Sequence, residues 1–256
     1  MSPSRPAAPE LNHGSPAGAR TDAPSLPYVP SLPEIVGHRG APRERPENTL
    51  PAFERALQLG ADALELDVHA TRDGAVIVHH DPTLRASGTS PGRAIASLTR
   101  ADLPRVEAAP GVPIPTLQDV LALAARRATV YVEIKARGIE EAVVRCVERS
   151  GARSAVHAFD HRVARRVRSL SPSLPTGVLL VGRLVEPAAA LAAAGARDLW
   201  QHWDEIDEAL VGEVHAAGGR VVAWTVNDVA AGRRLAGLGV DALCTDVPGE
   251  MRAALC

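Results

Sequence analysis

Glu65 and Asp67 stand two residues apart in the run ADALELDVHA, with His38 at the end of an apolar run upstream and His80 just after another downstream. Residues two apart on a strand project to the same side, so the two carboxylates share one space. No Lys or Arg follows on that strand to compensate them. Such a pair suits a hard divalent cation, Mg²⁺ or Ca²⁺, held by oxygen ligands. The competing reading is a solvent-facing strand side. It conflicts with Leu64, Leu66 and Val68 alternating around the acids, because a parallel-sheet strand has both faces covered and its acids need a cation or a polar barrel interior. Imidazole titrates near neutrality and can give or take a proton. A single strand-end histidine reads as a hydrogen-bonded core residue. Two of them flanking an acidic pair read as an acid and a base, with nothing to say which is which.

The elements around these residues must hold them in place. Glu34-Ile35-Val36-Gly37 is a short strand-like run ending at His38, after which Pro42 and Pro46 forbid an immediate helix. Asn48 or Thr49 can cap a helix in which Leu50, Phe53, Ala56 and Leu57 share one buried face, and Gly60 ends it. Ala61 to Val68 follows as a strand, Asp73-Gly74 supplies a tight turn, and Ala75 to Val78 is a β-rich run leading to His79-His80-Asp81-Pro82. His79 points away from His80, and His69 is expected in a loop; both are expected to face solvent or a helix.

The segments HRG, ENT, ELD, TRDG and HHDPTL, followed by VEIK at 132–135, AWTVN at 223–227 and GVDALCTDVP at 239–248, resemble the glycerophosphodiester phosphodiesterase family in the same order and at similar spacing. The resemblance runs from about Glu34 to the C-terminus. It implies a (β/α)₈ TIM barrel with catalytic groups at the C-terminal strand ends, performing metal-assisted hydrolysis of a glycerophosphodiester to an alcohol and sn-glycerol 3-phosphate. It also implies Glu65, Asp67 and Glu133 as metal ligands, His38 and His80 as general acid and base, and Arg39 and Lys135 on the phosphate. Trp224 would pack on the glycerol and Glu47 would support the site. From the residues alone, Glu133 and Lys135 face one way and fit a surface ion pair equally well. Glu47 also fits a helix-start carboxylate, Trp224 fits core filler, and Asn227 fits the cap of the next helix. The chain departs from the family where many relatives carry Ser-Phe after the fourth strand, reading His157-Ala158-Phe159 instead.

The hydropathy pattern supports the same barrel independently. Apolar, β-branched runs near 34–38, 62–68, 129–134, 154–158, 175–181, 197–201, 220–226 and 240–244 alternate with Ala/Leu-rich segments near 49–59, 116–126, 139–149, 161–169, 186–194, 204–217, 228–237 and 247–254. Residues 34–256 suffice for one barrel and leave no room for a second domain. Residues 85–115, rich in Gly, Pro, Ser and Ala, form a short insertion after the second strand, where the resemblance implies a shallow lid over the site. Residues 1–33 are dense in Pro, Ser, Gly and Ala without apolar periodicity and are expected to be a disordered tail.

Composition narrows the partners. A net charge of -2 without a Lys/Arg cluster argues against nucleic acid, and 3% aromatic content offers no stacking platform. The tail has no uninterrupted apolar core and no run reaches the roughly 20 apolar residues of a membrane helix, so a cytoplasmic protein with a small anionic substrate is expected. Cys146, Cys244 and Cys256 are scattered, with no C-x-x-C spacing, and are read as buried or free thiols. A toxin-type phospholipase D would share barrel, metal and paired histidines, but it is secreted and disulfide-linked. A non-catalytic binding barrel would not need intact acid–base groups. The sequence carries no mark of an oligomer interface.

Overall fold

The computed structural model describes residues 1, 32–84, 92–105 and 107–256. Eight parallel strands close on themselves: β1 (Glu34–His38), β2 (Ala63–Ala70), β3 (Thr129–Ile134), β4 (Ser154–Ala158), β5 (Thr176–Leu180), β6 (Asp198–His202), β7 (Arg220–Trp224) and β8 (Ala242–Thr245). Closure comes from β1, which pairs with β8 through Glu34–Ala242 to Gly37–Thr245 and with β2 through Val36–Ala63 to His38–Glu65. A helix follows each strand: α1 (Leu50–Gln58), α2 (Leu117–Ala124), α3 (Glu140–Ser150), α4 (His161–Leu170), α5 (Pro187–Ala194), α6 (Glu208–Ala216), α7 (Val229–Leu238) and α8 (Pro248–Leu255). The fold is the (β/α)₈ barrel that the alternation of apolar runs predicts. None of the described helices is long and apolar enough to cross a membrane.

The helices form where the pattern places them because each buries one stripe. Phe53 and Ala56 of α1, for example, are fully buried against β2. Thr49 caps α1 by accepting from the Ala52 N–H, and Thr116 with Asp119 makes a reciprocal capping box on α2. The barrel interior is filled by Val36, Ala63, Tyr131, Ala155, Leu179, Trp200, Val222, Ala242 and Cys244. Alternation on each strand puts these inward and the aliphatic residues between strands and helices.

The segment after β2 is more structured than an open insertion. Val76–Val78 turns back antiparallel onto the end of β2. Short strand pairs, Thr83–Leu84 with Arg93–Ala94 and Glu107–Ala109 with Val112–Pro113, then flank a small core of Ile77, Leu84, Ile95, Leu98, Leu103 and Ile114. The expected disordered tail lies, apart from Met1, Leu32 and Pro33, outside the described residues, as do 85–91 and 106 of the insertion.

The N-terminal mouth of the barrel is closed by ions rather than hydrocarbon. The Tyr131 hydroxyl donates to Glu34 Oε2 at 2.7 Å and accepts from Arg220 Nη1 at 3.1 Å. Arg220 Nη2 reaches Glu34 Oε2 at 3.1 Å, and its other nitrogens face Asp198 at 3.8 Å and Asp241 at 3.9 Å. Arg197 forks onto both oxygens of Asp198, at 2.7 Å each. Burial, with the Glu34 carboxylate beside it, drives the Tyr131 hydroxyl to titrate far above the ordinary phenol range.

At the other mouth the chain turns sharply after His38. Gly40 has φ +91°, and a Cβ there would lie 2.6 Å from the Ala52 carbonyl carbon. Gly40→Ala therefore meets both a backbone clash and a disfavoured conformation. It is expected to lower stability by roughly 2 kcal/mol or more, read as a reduced denaturation midpoint with an unchanged denaturant slope. A loss below about 0.5 kcal/mol would mean that this turn is free to shift.

Candidate active site

The turn held by Gly40 sets the first groups of the site. Arg39 has φ +53° and Asn48 φ +56°, left-handed conformations that non-glycine residues seldom adopt. That geometry turns the Arg39 amide to donate to Glu65 Oε2 at 3.1 Å and brings its guanidinium against Asp67 Oδ2 at 3.1 Å. Glu47 Oε1 accepts from Arg39 Nη1 at 3.0 Å on the outer side. Asn48 does not cap α1. It is buried and clasps Asp67 twice, donating Nδ2–H to Oδ2 at 2.9 Å and accepting the Asp67 amide at 3.3 Å.

Four ionisable groups then meet at the ends of β2 and β3, where Asp67 is in register with Glu133. Lys135 Nζ donates to Glu133 Oε1 at 2.7 Å and stands 3.4 Å from Asp67 Oδ1. Glu65, Asp67 and Glu133 are all buried. Burial pushes the Glu65 carboxyl well above its usual range, and the neighbouring Asp67 and Glu133 charges push it further. Glu133 is raised by burial and by Asp67, with Lys135 pulling against them. Burial pushes Asp67 upward too, yet Arg39, Lys135 and the Asn48 amide outweigh it and hold the group below its usual value. With all three buried acids ionised, the two bases leave one negative charge in excess, which a divalent cation would more than offset.

Each of the two sequence-selected histidines has an aspartate behind it. His38 Nδ1 lies 2.7 Å from Asp246 Oδ1, and its Nε2 faces the acidic floor, 3.9 Å from Glu65 Oε2. Asp246 is itself gripped by Asn227, whose Nδ2 donates to Oδ2 at 2.7 Å and whose Oδ1 accepts the Asp246 amide at 2.8 Å. Asn227 thus works on Asp246, while Asp228 caps α7. His80 Nδ1 lies 2.8 Å from Asp81 Oδ1. His69, expected in a loop facing solvent or a helix, lies instead in β2, only 6% exposed, with Nε2 3.1 Å from the His80 carbonyl, so it braces the loop that carries His80.

An aromatic wall completes the space. Trp224 meets Phe159 edge-on at 5.4 Å and His202 at 5.5 Å, and Lys135 Nζ lies 5.8 Å from the Phe159 ring centre. Deeper in the barrel, the His157 ring stacks on Trp200 at 4.0 Å with 6° between planes. Burial drives the His157 imidazole down to about 3, so it is neutral over the working range.

His38, Arg39, Glu65, His80, Glu133, Lys135 and Trp224 all line one cavity of about 200 Å³ at the C-terminal strand ends. Asp67 lies beneath it and Glu47 outside it, each reaching it through Arg39. Sequence reasoning passed over Asn48, Asp246, His157 and the paired role of Asn227. Asp246 sits in the matched segment GVDALCTDVP and His157 stands at the departure from Ser-Phe, so both carried a signal. Asn48 did not, because a cap explained it.

The acid donors also fit a cation on structural grounds. Glu65, Glu133 and His157 each present one ligand atom within 4.8 Å of the others, and neither His157 ring nitrogen nor Asp67 Oδ1 has a hydrogen-bond partner. The three cysteines carry no disulfide; burial raises the thiols of Cys146 and Cys244, the latter well above its ordinary value.

Residues 38–250 match the model of the glycerophosphoryl diester phosphodiesterase family. A glycerophosphodiester phosphodiesterase of Caldanaerobacter subterraneus is 32% identical over 229 residues, spanning 84% of this chain and 94% of the relative. Among solved structures, an Oleispira antarctica phosphodiesterase in complex with the product sn-glycerol-3-phosphate superposes with TM-score 0.80 at 26% identity, covering 87% of this chain and 96% of that one. A glycerophosphodiester phosphodiesterase from Agrobacterium tumefaciens gives TM-score 0.77 at 26% identity, covering 87% of this chain and all of the other. The chain belongs to the glycerophosphoryl diester phosphodiesterase family and is a phosphoric diester hydrolase.

Proposed function

We propose that this protein hydrolyses glycerophosphodiesters to an alcohol and sn-glycerol 3-phosphate, with His38 and His80 moving the protons and a divalent cation on the acidic floor. The observation that carries the reading is the pair of aspartate-backed imidazoles lining one small cavity with buried Glu65 and Glu133. Hydrolysis needs a base to take the proton of the attacking hydroxyl and an acid to protonate the departing alkoxide. With Nδ1–H given to its aspartate, each imidazole keeps Nε2 free to accept or return a proton on the cavity side. Arg39 offers a planar fork to two phosphate oxygens, its carboxylate neighbours fixing its direction, and Lys135 adds a mobile point charge. Trp224 and Phe159 supply an apolar flank for the glycerol carbons. Glu65, Asp67 and Glu133 would take Ca²⁺ or Mg²⁺, and the bound cation would polarise a non-bridging oxygen and draw off developing charge. The described part of the insertion, 92–105 and 107–115, would act as a partial cover that leaves room for the head group.

The test is glycerol 3-phosphate release from glycerophosphocholine and glycerophosphoethanolamine with Mg²⁺, Ca²⁺ or Mn²⁺ and after chelation. Cation-dependent release supports the reading. Release that survives complete chelation removes the metal from it, and no release from any head group with the cation bound removes the substrate.

Cation affinity is expected to climb with pH. Glu65 and Glu133 titrate above their ordinary range in the metal-free protein, and only their ionised forms are ligands, so binding must expel protons. Since the folded value is the raised one, these groups favour the metal-free fold at low pH and cease to do so as pH rises through it. Calorimetry in buffers of differing ionisation enthalpy counts the protons released, and an affinity independent of pH would contradict the assignment.

A further inference from the structure

His157 is a buried imidazole without a hydrogen-bond partner, and the mechanism above does not use it. The strand register sets it beside Glu133, and its ring is fixed against Trp200. Its Nε2 points at the acidic floor, 3.8 Å from Glu65 Oε1. Leaving two ring nitrogens dry and unpaired is costly, and buried polar groups in native proteins almost always have a partner, be it protein, water or ion. The candidate partners divide by chemistry. Glu65 and Glu133 each bring an oxygen into the same small space as the imidazole. Asp67 is held on Oδ2 by Asn48 and Arg39, while its Oδ1 has no hydrogen-bond partner and lies 3.4 Å from the Lys135 ammonium.

We propose that His157, with Glu65 and Glu133, supplies a nitrogen ligand to the site's cation, so that this chain selects a transition cation such as Mn²⁺ over Mg²⁺ and Ca²⁺. The proposal rests on the metal-dependent reading above and adds an imidazole to its carboxylate ligands. Mg²⁺ and Ca²⁺ are oxygen-seeking ions, and an imidazole in the first coordination sphere handicaps them. Zn²⁺, Fe²⁺ and Ni²⁺ suit imidazole, and Mn²⁺, the weakest of the divalent first-row transition cations for such sites, accepts carboxylates and a nitrogen together. A neutral ring, which burial already enforces, is the form that binds.

The test uses the full chain stripped of metal, titrated calorimetrically with MnCl₂, MgCl₂ and CaCl₂, as wild type and as His157→Gln. Electron spin-echo spectroscopy on the Mn²⁺ form reads ¹⁴N coupling from a coordinated imidazole. Wild type is expected to bind Mn²⁺ more tightly than Mg²⁺ and to show the nitrogen coupling. His157→Gln is expected to lose that coupling and to weaken Mn²⁺ by roughly 10- to 100-fold, at least the effect of disturbing an outer-sphere partner. Its Mg²⁺ affinity should hold. Wild-type protein that lacks nitrogen coupling, or that binds Mg²⁺ or Ca²⁺ as tightly as Mn²⁺, overturns the proposal without recourse to a variant. Nitrogen coupling with no turnover of any glycerophosphodiester overturns the substrate reading instead and leaves the ligand assignment standing.

Discussion

His38→Ala is expected to lower kcat for glycerophosphocholine about 10²- to 10⁴-fold, the usual range for loss of a positioned acid or base. Its effect on KM should be small, because His38 holds no charge pair with the phosphate and the Arg39 and Lys135 contacts remain. Cation binding should also persist, since His38 is absent from the cluster of converging ligand atoms found among the described residues. Asp246→Asn probes the same group at one remove. Asn227 can still hold an amide there, but the carboxylate that fixes the His38 tautomer is gone, and a fall of roughly 10- to 100-fold is expected. The loss should come with a shifted pH–rate profile, which a purely structural defect would not give. Equal loss of kcat and cation affinity in His38→Ala would instead make this histidine a ligand.

Arg220→Met carries the largest expected effect on stability, a loss of roughly 3 kcal/mol at the N-terminal mouth of the barrel. One guanidinium there answers Glu34, Tyr131, Asp198 and Asp241, and the first three are buried or largely so. Methionine retains the apolar stem but leaves Glu34 without its cation, while Arg197 still covers Asp198 and limits the damage. For a barrel of this size each kcal/mol moves Tm by about 2–4 °C, so a drop near 10 °C is expected. The variant's kcat should match wild type below its transition, since the change lies at the opposite end of the strands from the cavity. Unchanged Tm would show that the mouth is solvated and its ion pairs slight.

The barrel was legible because its strands are short, apolar and β-branched and its helices carry single buried stripes, so period and length separate them. β1, β3 and β4 begin and end at the residues the pattern indicates, 34–38, 129–134 and 154–158. The last strand starts later than the apolar run, at Ala242, because Val240 N–H is taken by the Leu235 carbonyl at the end of α7. The acidic pair on one strand, Glu65 and Asp67, was legible from spacing alone. Groups brought together from strands far apart in sequence were not: Asp246, at the end of the strand beside β1, reaches His38 over 208 residues of chain, and no local periodicity encodes that meeting. Asn48 and Asn227 were misread for a related reason. Each neighbours a true cap, Thr49 or Asp228, and the amide that reads locally as a cap was committed to a distant acid.

The pairing of His38 with Asp246 also couples function to synthesis. β1, β2 and β3 carry every carboxylate of the floor and are translated well before Asp246, the partner of His38, which follows it by 208 residues. A chain interrupted before Asp246 would therefore hold the acidic floor without the carboxylate that meets His38. On the proposed mechanism its proton transfer would be impaired until β1 and β8 had come together.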